Sequence, residues 1–323
     1  MELNNPVQAM ARVVSEKTRA KRGQVCGPLL DPEELKRYEN LWIFAKATVE
    51  SFYAGKHLSP YRGGAAEFAE YKSYAVGDAV SRVDWRVYGR TRRLYVRQFD
   101  QETDTRVYLF VDMSASMRFS GRPRASKYAV AAKIAAALAY LSIAQGDKAA
   151  LVLFSDTITT ALPPGGTRRH LNRLMSELES AQPENRTGLG HALSQCQTLL
   201  KKRGRIVILS DFFDDLPVLF DALAQLLHRR FEILLLQVLD AQELELPAMA
   251  VARFVDMETG EAVKVDSEEI REGYQQEVAR RIAALAAESD RHRIEHRLLD
   301  TGAPYVEALE AYLGLRGKPQ RSH

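Results

Sequence analysis

Val107-Tyr108-Leu109-Phe110-Val111 runs directly into Asp112-Met113-Ser114-Ala115-Ser116, and these ten residues decide how the chain is read. The β-branched and aromatic run predicts a buried strand, and the apolar pattern from Tyr128 to Ala144 predicts a buried helix, so the residues after Val111 enter a strand-to-helix loop. Open α/β sheets bind ligands at such loops. Asp112, Ser114 and Ser116 supply a carboxylate and two hydroxyls at alternate positions, the hard oxygen donors that a magnesium-like cation takes. Three oxygens do not close an octahedron, so further donors are expected from other loops at the same sheet edge. The competing reading is that Asp and Ser merely cap the next helix.

Strands expected near 106–112, 148–154, 205–210, 231–239 and 293–299 alternate with helical stretches. This pattern predicts an α/β fold, a Rossmann-like, doubly wound and mostly parallel sheet. Thr157 to Leu162 reads as a short edge strand beside 148–154, and Pro163 to Thr167 as a turn. Runs at 253–256 and 262–265 flank Met257-Glu258-Thr259-Gly260-Glu261 and predict a hairpin insertion near 251–266, before a helix over about 267–289. Upstream, Asp31-Pro32-Glu33-Glu34 starts a helix that carries Leu35, Tyr38, Trp42, Ala45 and Val49 on one face to about Phe52. The organisation expected is a flexible basic arm over 1–31, an N-terminal helix with a small basic β-containing subdomain over 32–104, the α/β domain over 105–316, and a tail over 317–323.

Two further strand-end loops offer oxygens. Arg205-Ile206-Val207-Ile208-Leu209-Ser210 is an apolar strand ending at Asp211, and Arg186-Thr187-Gly188-Leu189-Gly190 opens a helix with a hydroxyl. Asp112, Ser114, Ser116, Thr187 and Asp211 are therefore the candidate metal ligands. Asp214 and Asp215 read as caps of the helix that follows them, and His292 and His296 as a solvated strand face.

Bulk composition narrows the function classes. At 323 residues, 46% hydrophobic and 27% charged, the chain is globular rather than disordered, and 45 basic against 42 acidic residues leave too small a net charge, +3, for bulk nucleic-acid affinity. Cys26 and Cys196 lack any CxxC spacing, so neither a disulfide frame nor a cysteine zinc site is expected. Together with an N-terminal stretch that has no apolar leader, this predicts a cytoplasmic location. The Tyr128 to Ala144 segment is short, rich in Ala and interrupted by Lys133, so no membrane span is expected. Neither a GxxxxGK[ST] loop nor a GxSxG elbow is present.

The segment before the first long strand is locally basic. Arg82, Arg86, Arg90, Arg92, Arg93 and Arg97 interleave with Trp85, Tyr88, Tyr95 and Phe99. One reading pairs Arg82, Arg86 and Arg97 with Asp78, Asp84 and Glu102 and puts Trp85 in a core. The other is a nucleic-acid surface of cations and stacking rings. Interspersed acids favour the first.

A DxSxS loop, a downstream Thr loop and a strand ending in Asp, in that order, resemble the metal-ion-dependent adhesion site of von Willebrand factor A domains. The resemblance implies direct Mg2+ contact by Ser114 and Ser116, water-mediated contact by Asp112 and Asp211, contact by Thr187 directly or through water, and a sixth position open to a partner's carboxylate. Mn2+ or Ca2+ could stand in for Mg2+. Gly64-Ala65-Ala66-Glu67-Phe68, Tyr71-Lys72-Ser73-Tyr74-Ala75-Val76-Gly77-Asp78, Arg82-Val83-Asp84-Trp85, Leu94-Tyr95-Val96-Arg97 and Glu102 resemble the signature of the bacterial family catalogued as domain of unknown function fifty-eight. Lys72, Val83 and Gly89 stand where that family usually has Arg, Ile and Ala. The family resemblance spans about residues 55 to 315. It implies a von Willebrand factor A-like domain and a MoxR-type AAA+ ATPase as partner. The function expected is a non-enzymatic, Mg2+-dependent protein-interaction or adaptor protein in a chaperone-like or complex-assembly role. The alternatives are a metal-assisted phosphoryl-transfer or hydrolytic enzyme at the same loops, and nucleic-acid binding through the Arg-rich segment.

Overall fold

A computed structural model describes residues 41–55, 68–74, 83, 85–99, 105–121, 125–196, 200–246, 252–257, 260–265, 267–302 and 305–317. The arm over 1–31, the helix start at Asp31, Cys26, and the proposed partners Asp78, Arg82, Asp84 and Glu102 lie outside the described residues. The first elements are α1 (Leu41–Gly55), β1 (Phe68–Ser73), α2 (Trp85–Thr91) and β2 (Tyr95–Phe99). Then come β3 (Arg106–Asp112), a 3-10 turn (Ala115–Arg118), α3 (Lys127–Ala144), β4 (Lys148–Phe154), β5 (Ile158–Gly165), α4 (Arg168–Ser180) and α5 (Leu189–Gln195). The remainder is β6 (Arg205–Ser210), α6 (Leu216–His228), β7 (Glu232–Leu239), α7 (Ala241–Leu244), β8 (Ala252–Val255), β9 (Ala262–Val265), α8 (Ser267–Arg291), β10 (Glu295–Asp300) and α9 (Val306–Gly317).

Six strands form the central sheet in the order β10-β7-β6-β3-β4-β5, all parallel except β5, which runs antiparallel to β4. Numbered one to six along the chain, they stand 3-2-1-4-5-6 from the β5 edge. This is the doubly wound order, which reverses between β3 and β6. Alternation along β3 explains why both faces are covered. Val107, Leu109 and Val111 enter one apolar cluster with α1, α3, α4 and α9, while Tyr108 and Phe110 enter the other with α5 and α6. Helix α3 is apolar all round because it lies between the sheet and an outer row of helices. It is the one described helix long and apolar enough to cross a bilayer by composition, and 78% of it is buried in the fold. Two smaller antiparallel pairs, β1 with β2 and β8 with β9, stand apart from this sheet.

Three local expectations need correction. Strand β5 does not stop at Leu162 but continues through Pro163 and Pro164 to Gly165, and it does so as an edge strand, where a missing N–H costs no ladder bond. Trp85 is not core: it starts α2 with 59% of its surface exposed and meets Tyr88 edge to face, because a seven-residue helix with no buried residue has no core to offer it. The two histidines do not share a solvated strand face. His292 sits in the turn before β10 and stacks on Phe220, whereas His296 on β10 is half-buried and hydrogen-bonds Gln237 Oε1 at 3.1 Å.

Candidate metal centre

The reversal of strand order brings the carboxyl ends of β3 and β6 side by side. Asp112 is the last residue of β3, and Asp211 immediately follows β6. Ladder pairing of Val111 with Leu209 sets their register. Both side chains are fully buried.

The loop after β3 is folded by its own polar side chains. Asp112 Oδ1 accepts from Ser114 N at 2.8 Å, and Ser210 Oγ donates to Asp112 Oδ2 at 2.5 Å while accepting from Phe212 N at 3.0 Å. Ser116 Oγ donates to Asp211 Oδ2 at 2.7 Å. A hydroxyl has one proton, so Ser114 Oγ is the donor in its 3.0 Å bond to Ser116 Oγ. Ser114 stands before the 3-10 turn but makes no side-chain cap there, so capping does not account for its hydroxyl. The cap of α3 is Ser126 instead, whose Oγ accepts from Ala129 N at 3.2 Å.

Thr187 reaches the same edge through its loop. Glu184 N donates to Met113 O at 2.7 Å, Ala115 N to Asn185 O at 2.9 Å, and Gly188 N to Ser155 O at 3.0 Å. A Cβ at Gly188 would lie 2.8 Å from the Asp156 backbone, so the close approach requires glycine. Asn185 and Phe212 both hold positive φ, 68° and 57°. For Phe212 this is a strained conformation, and it sends consecutive phenylalanines into different apolar clusters, Phe212 beneath α5 and α6 and Phe213 toward α8. Asp214 does not cap the helix that follows it. Its Oδ2 accepts from Leu189 N at 2.8 Å and so closes the start of α5, because the Thr187 loop folds back over it.

Three residues of the site escaped sequence reasoning: Ser210, Lys127 and Glu243. Lys127 is fully buried at the first turn of α3, and its Nζ donates to Asp211 Oδ2 at 2.8 Å and to Glu243 Oε1 at 2.7 Å. A lysine there opposes the helix dipole, and that was the readable signal of a carboxylate partner. Glu243 lies on α7, where its Oε2 accepts from Asp240 N at 2.9 Å as half of a capping box. Gly121 comes so close to Asp240 that any Cβ would overlap the carboxylate.

The electrostatics follow from three buried carboxylates around one ammonium. Burial first, and the neighbouring Asp211 carboxylate second, push the Asp112 carboxyl up to about 7, against the hydrogen bonds from Ser210 and Ser114. Burial likewise raises Glu243, opposed by Lys127. Burial alone would lower Lys127, but Asp211 and Glu243 outweigh it and hold the ammonium above its ordinary value. Both upward shifts favour the protonated carboxyl, so burial draws Asp112 and Glu243 toward neutrality around the Lys127–Asp211 ion pair.

Oxygen geometry suits a small hard cation. Mg–O bonds of about 2.0 to 2.1 Å put neighbouring octahedral oxygens about 2.9 Å apart, and the Ser114–Ser116 and Ser116–Asp211 separations are 3.0 and 2.7 Å. No group of three His, Cys, Asp or Glu side chains placed to hold a metal occurs among the described residues, so any metal here would depend on the serine hydroxyls.

Residues 70–284 match the family described as Protein of unknown function DUF58. The chain belongs to that family. This DUF58 chain is 29% identical over 237 residues to an uncharacterized protein of Mycobacterium tuberculosis, Rv1480, and equally to its Mycobacterium bovis counterpart Mb1516, covering 72% of this chain and 74% of each relative. Among solved structures it is similar to the conserved hypothetical protein BatB from Bacteroides thetaiotaomicron, with TM-score 0.44 and 16% identity over 66% of this chain and all of that one. It is also similar to an aerotolerance-related membrane protein from Bacteroides fragilis, with TM-score 0.43, 16% identity and the same coverage. A third is an uncharacterized membrane spanning protein from Vibrio fischeri, with TM-score 0.26 and 14% identity over 66% of this chain and all of that one. Two of these neighbours, those from Bacteroides fragilis and Vibrio fischeri, are described as membrane proteins, and the expected cytoplasmic location is withdrawn.

Proposed function

We propose that this chain is a non-enzymatic docking protein in which Asp112, Ser114, Ser116, Thr187 and Asp211 of a von Willebrand factor A-like domain hold Mg2+, with Mn2+ or Ca2+ as substitutes. The observation that carries the reading is the meeting of Ser114 Oγ, Ser116 Oγ and Asp211 Oδ2, at 3.0 and 2.7 Å, at the switch point of the sheet. When bound, the cation supplies a Lewis-acidic position that accepts a carboxylate from another protein. The serines present neutral oxygens, so positive charge stays available at that position, while Lys127 and Ser210 hold the two aspartates in place. The partner proposed is a MoxR-type AAA+ ATPase, an oligomer able to present an acidic residue to the site in a chaperone-like or assembly role. Enzymatic use of the same loops has less support, because the Ser114 hydroxyl donates to Ser116 rather than to a base, and His296 reaches Asp211 only through the Gln237 amide and the Asp211 backbone carbonyl.

Thermal melting of the full chain with and without Mg2+ tests this. Ligand linkage predicts a melting temperature several degrees higher in saturating Mg2+ than in EDTA, with the difference lost in Ser114→Ala and Ser116→Ala. Capture of the ATPase on immobilised wild type should require Mg2+. A wild-type melting temperature indifferent to Mg2+, Mn2+ and Ca2+ would reduce the cluster to a structural node closed by Lys127.

A further inference from the structure

The opposite end of the sheet carries a second recess. Helix α5 begins at the upper edge and runs seven residues, about 10 Å, against about 23 Å for the seven residues of β4 beneath it. The lower part of that face is a cavity of about 520 Å3, walled by Tyr108, Ala150, Val152, Ala161 and Leu200. Arg106, Lys148, Lys201 and Lys202 stand at its rim. Exposed Arg203 and Arg230 continue the positive charge along the same strand-start edge, and Arg229, stacked on Phe231, donates to Leu200 O. Glu232, the acid at the start of β7, is taken by Arg205 at 2.7 Å.

We propose that this edge binds an anionic phospholipid bilayer, with the apolar recess admitting aliphatic chain and the lysines and arginines meeting phosphate head groups. A peptide fits the walls poorly. Pro163 and Pro164 give edge strand β5 no N–H there for strand addition, and the phenol in the wall, Tyr108, already donates to Lys202 O at 2.9 Å. A buried segment without backbone polar groups needs no such partners. Cations spread well beyond the recess exceed what one free fatty acid would use, but match a plane of head groups. Docked in this way, the chain turns the carboxyl ends of its strands, and Asp112 with them, away from the lipid.

Vesicle flotation of the full chain tests the proposal, using phosphatidylcholine alone and phosphatidylcholine with about one third phosphatidylglycerol. Flotation is expected with the anionic vesicles only and should fade as salt is raised. Lys201→Glu with Lys202→Glu should cut the bound fraction roughly tenfold or more. Ala161→Trp, which fills the recess from an exposed position, should weaken binding several-fold; both variants should keep the wild-type melting temperature. Equal flotation with neutral vesicles, or double-variant binding equal to wild type, would overturn the proposal. So would binding of monomeric oleate or soluble polyglutamate without flotation, which would reassign the recess to a free fatty acid or an acidic chain.

Discussion

Lys127 is the residue on which the candidate centre balances. Its ammonium is fully buried between Asp211 and Glu243, so replacing it by an apolar side chain leaves two buried carboxylates without their counter-charge. Lys127→Met is therefore expected to cost about 3 to 5 kcal/mol, read as a lower urea midpoint at unchanged slope. Asp112 makes a different prediction. Its folded pKa, about 7, is raised above the unfolded value, so the native state holds a proton that the unfolded chain has released. The stabilisation is fully present below about pH 4 and is lost as pH rises through about 7. In EDTA, the stability of wild type should fall between those limits relative to Asp112→Asn, which has no such proton to lose. A parallel pH profile for the two proteins would remove the titration from Asp112.

At the scale of elements, the four-residue helix α7 is small but connects three parts of the fold. Asp240 Oδ1 accepts from Gln242 N at 2.9 Å, its Oδ2 accepts from Thr301 Oγ1 at 2.7 Å just past β10, and Glu243 of the same capping box holds Lys127. Asp240→Ala should cost about 2 kcal/mol or more, since it removes a cap and strands a buried threonine hydroxyl, and Asp240→Asn should recover part of the loss in the same urea titration. What the sequence made legible divides along this line. Strands β3, β4 and β6 were readable to the residue because their side chains pack on both faces and run as continuous apolar stretches. Asp112, Ser114, Ser116 and Asp211 were readable because each ends or follows such a strand. Lys127, Glu243 and Ser210 were not, because their roles come from contacts across as many as 116 positions of sequence separation, which no local pattern encodes. Trp85 failed for the opposite reason: aromatic character suggested a core that the short helix α2 does not possess.

At the scale of the whole molecule, the two ends of one sheet carry opposite chemistry. Carboxylates and hydroxyls gather where β3 and β6 finish, and lysines and arginines gather where β3, β4 and β6 begin. The strand order places the first pair of ligating candidates at the crevice between β3 and β6, so their meeting depends on the sheet as a unit rather than on either loop. The other face of that sheet carries a further consequence. Helix α3 packs against α1 from early in the chain and α9 from late in it, with Gln145 Nε2 donating to Tyr53 Oη at 2.5 Å and Tyr312 Oη 3.1 Å from Ser142 Oγ. During synthesis, then, that half of the core waits for residues near Tyr312 to leave the ribosome before it can close. Until those residues emerge, an apolar, alanine-rich helix keeps part of its surface uncovered, a condition in which a nascent chain is exposed to aggregation.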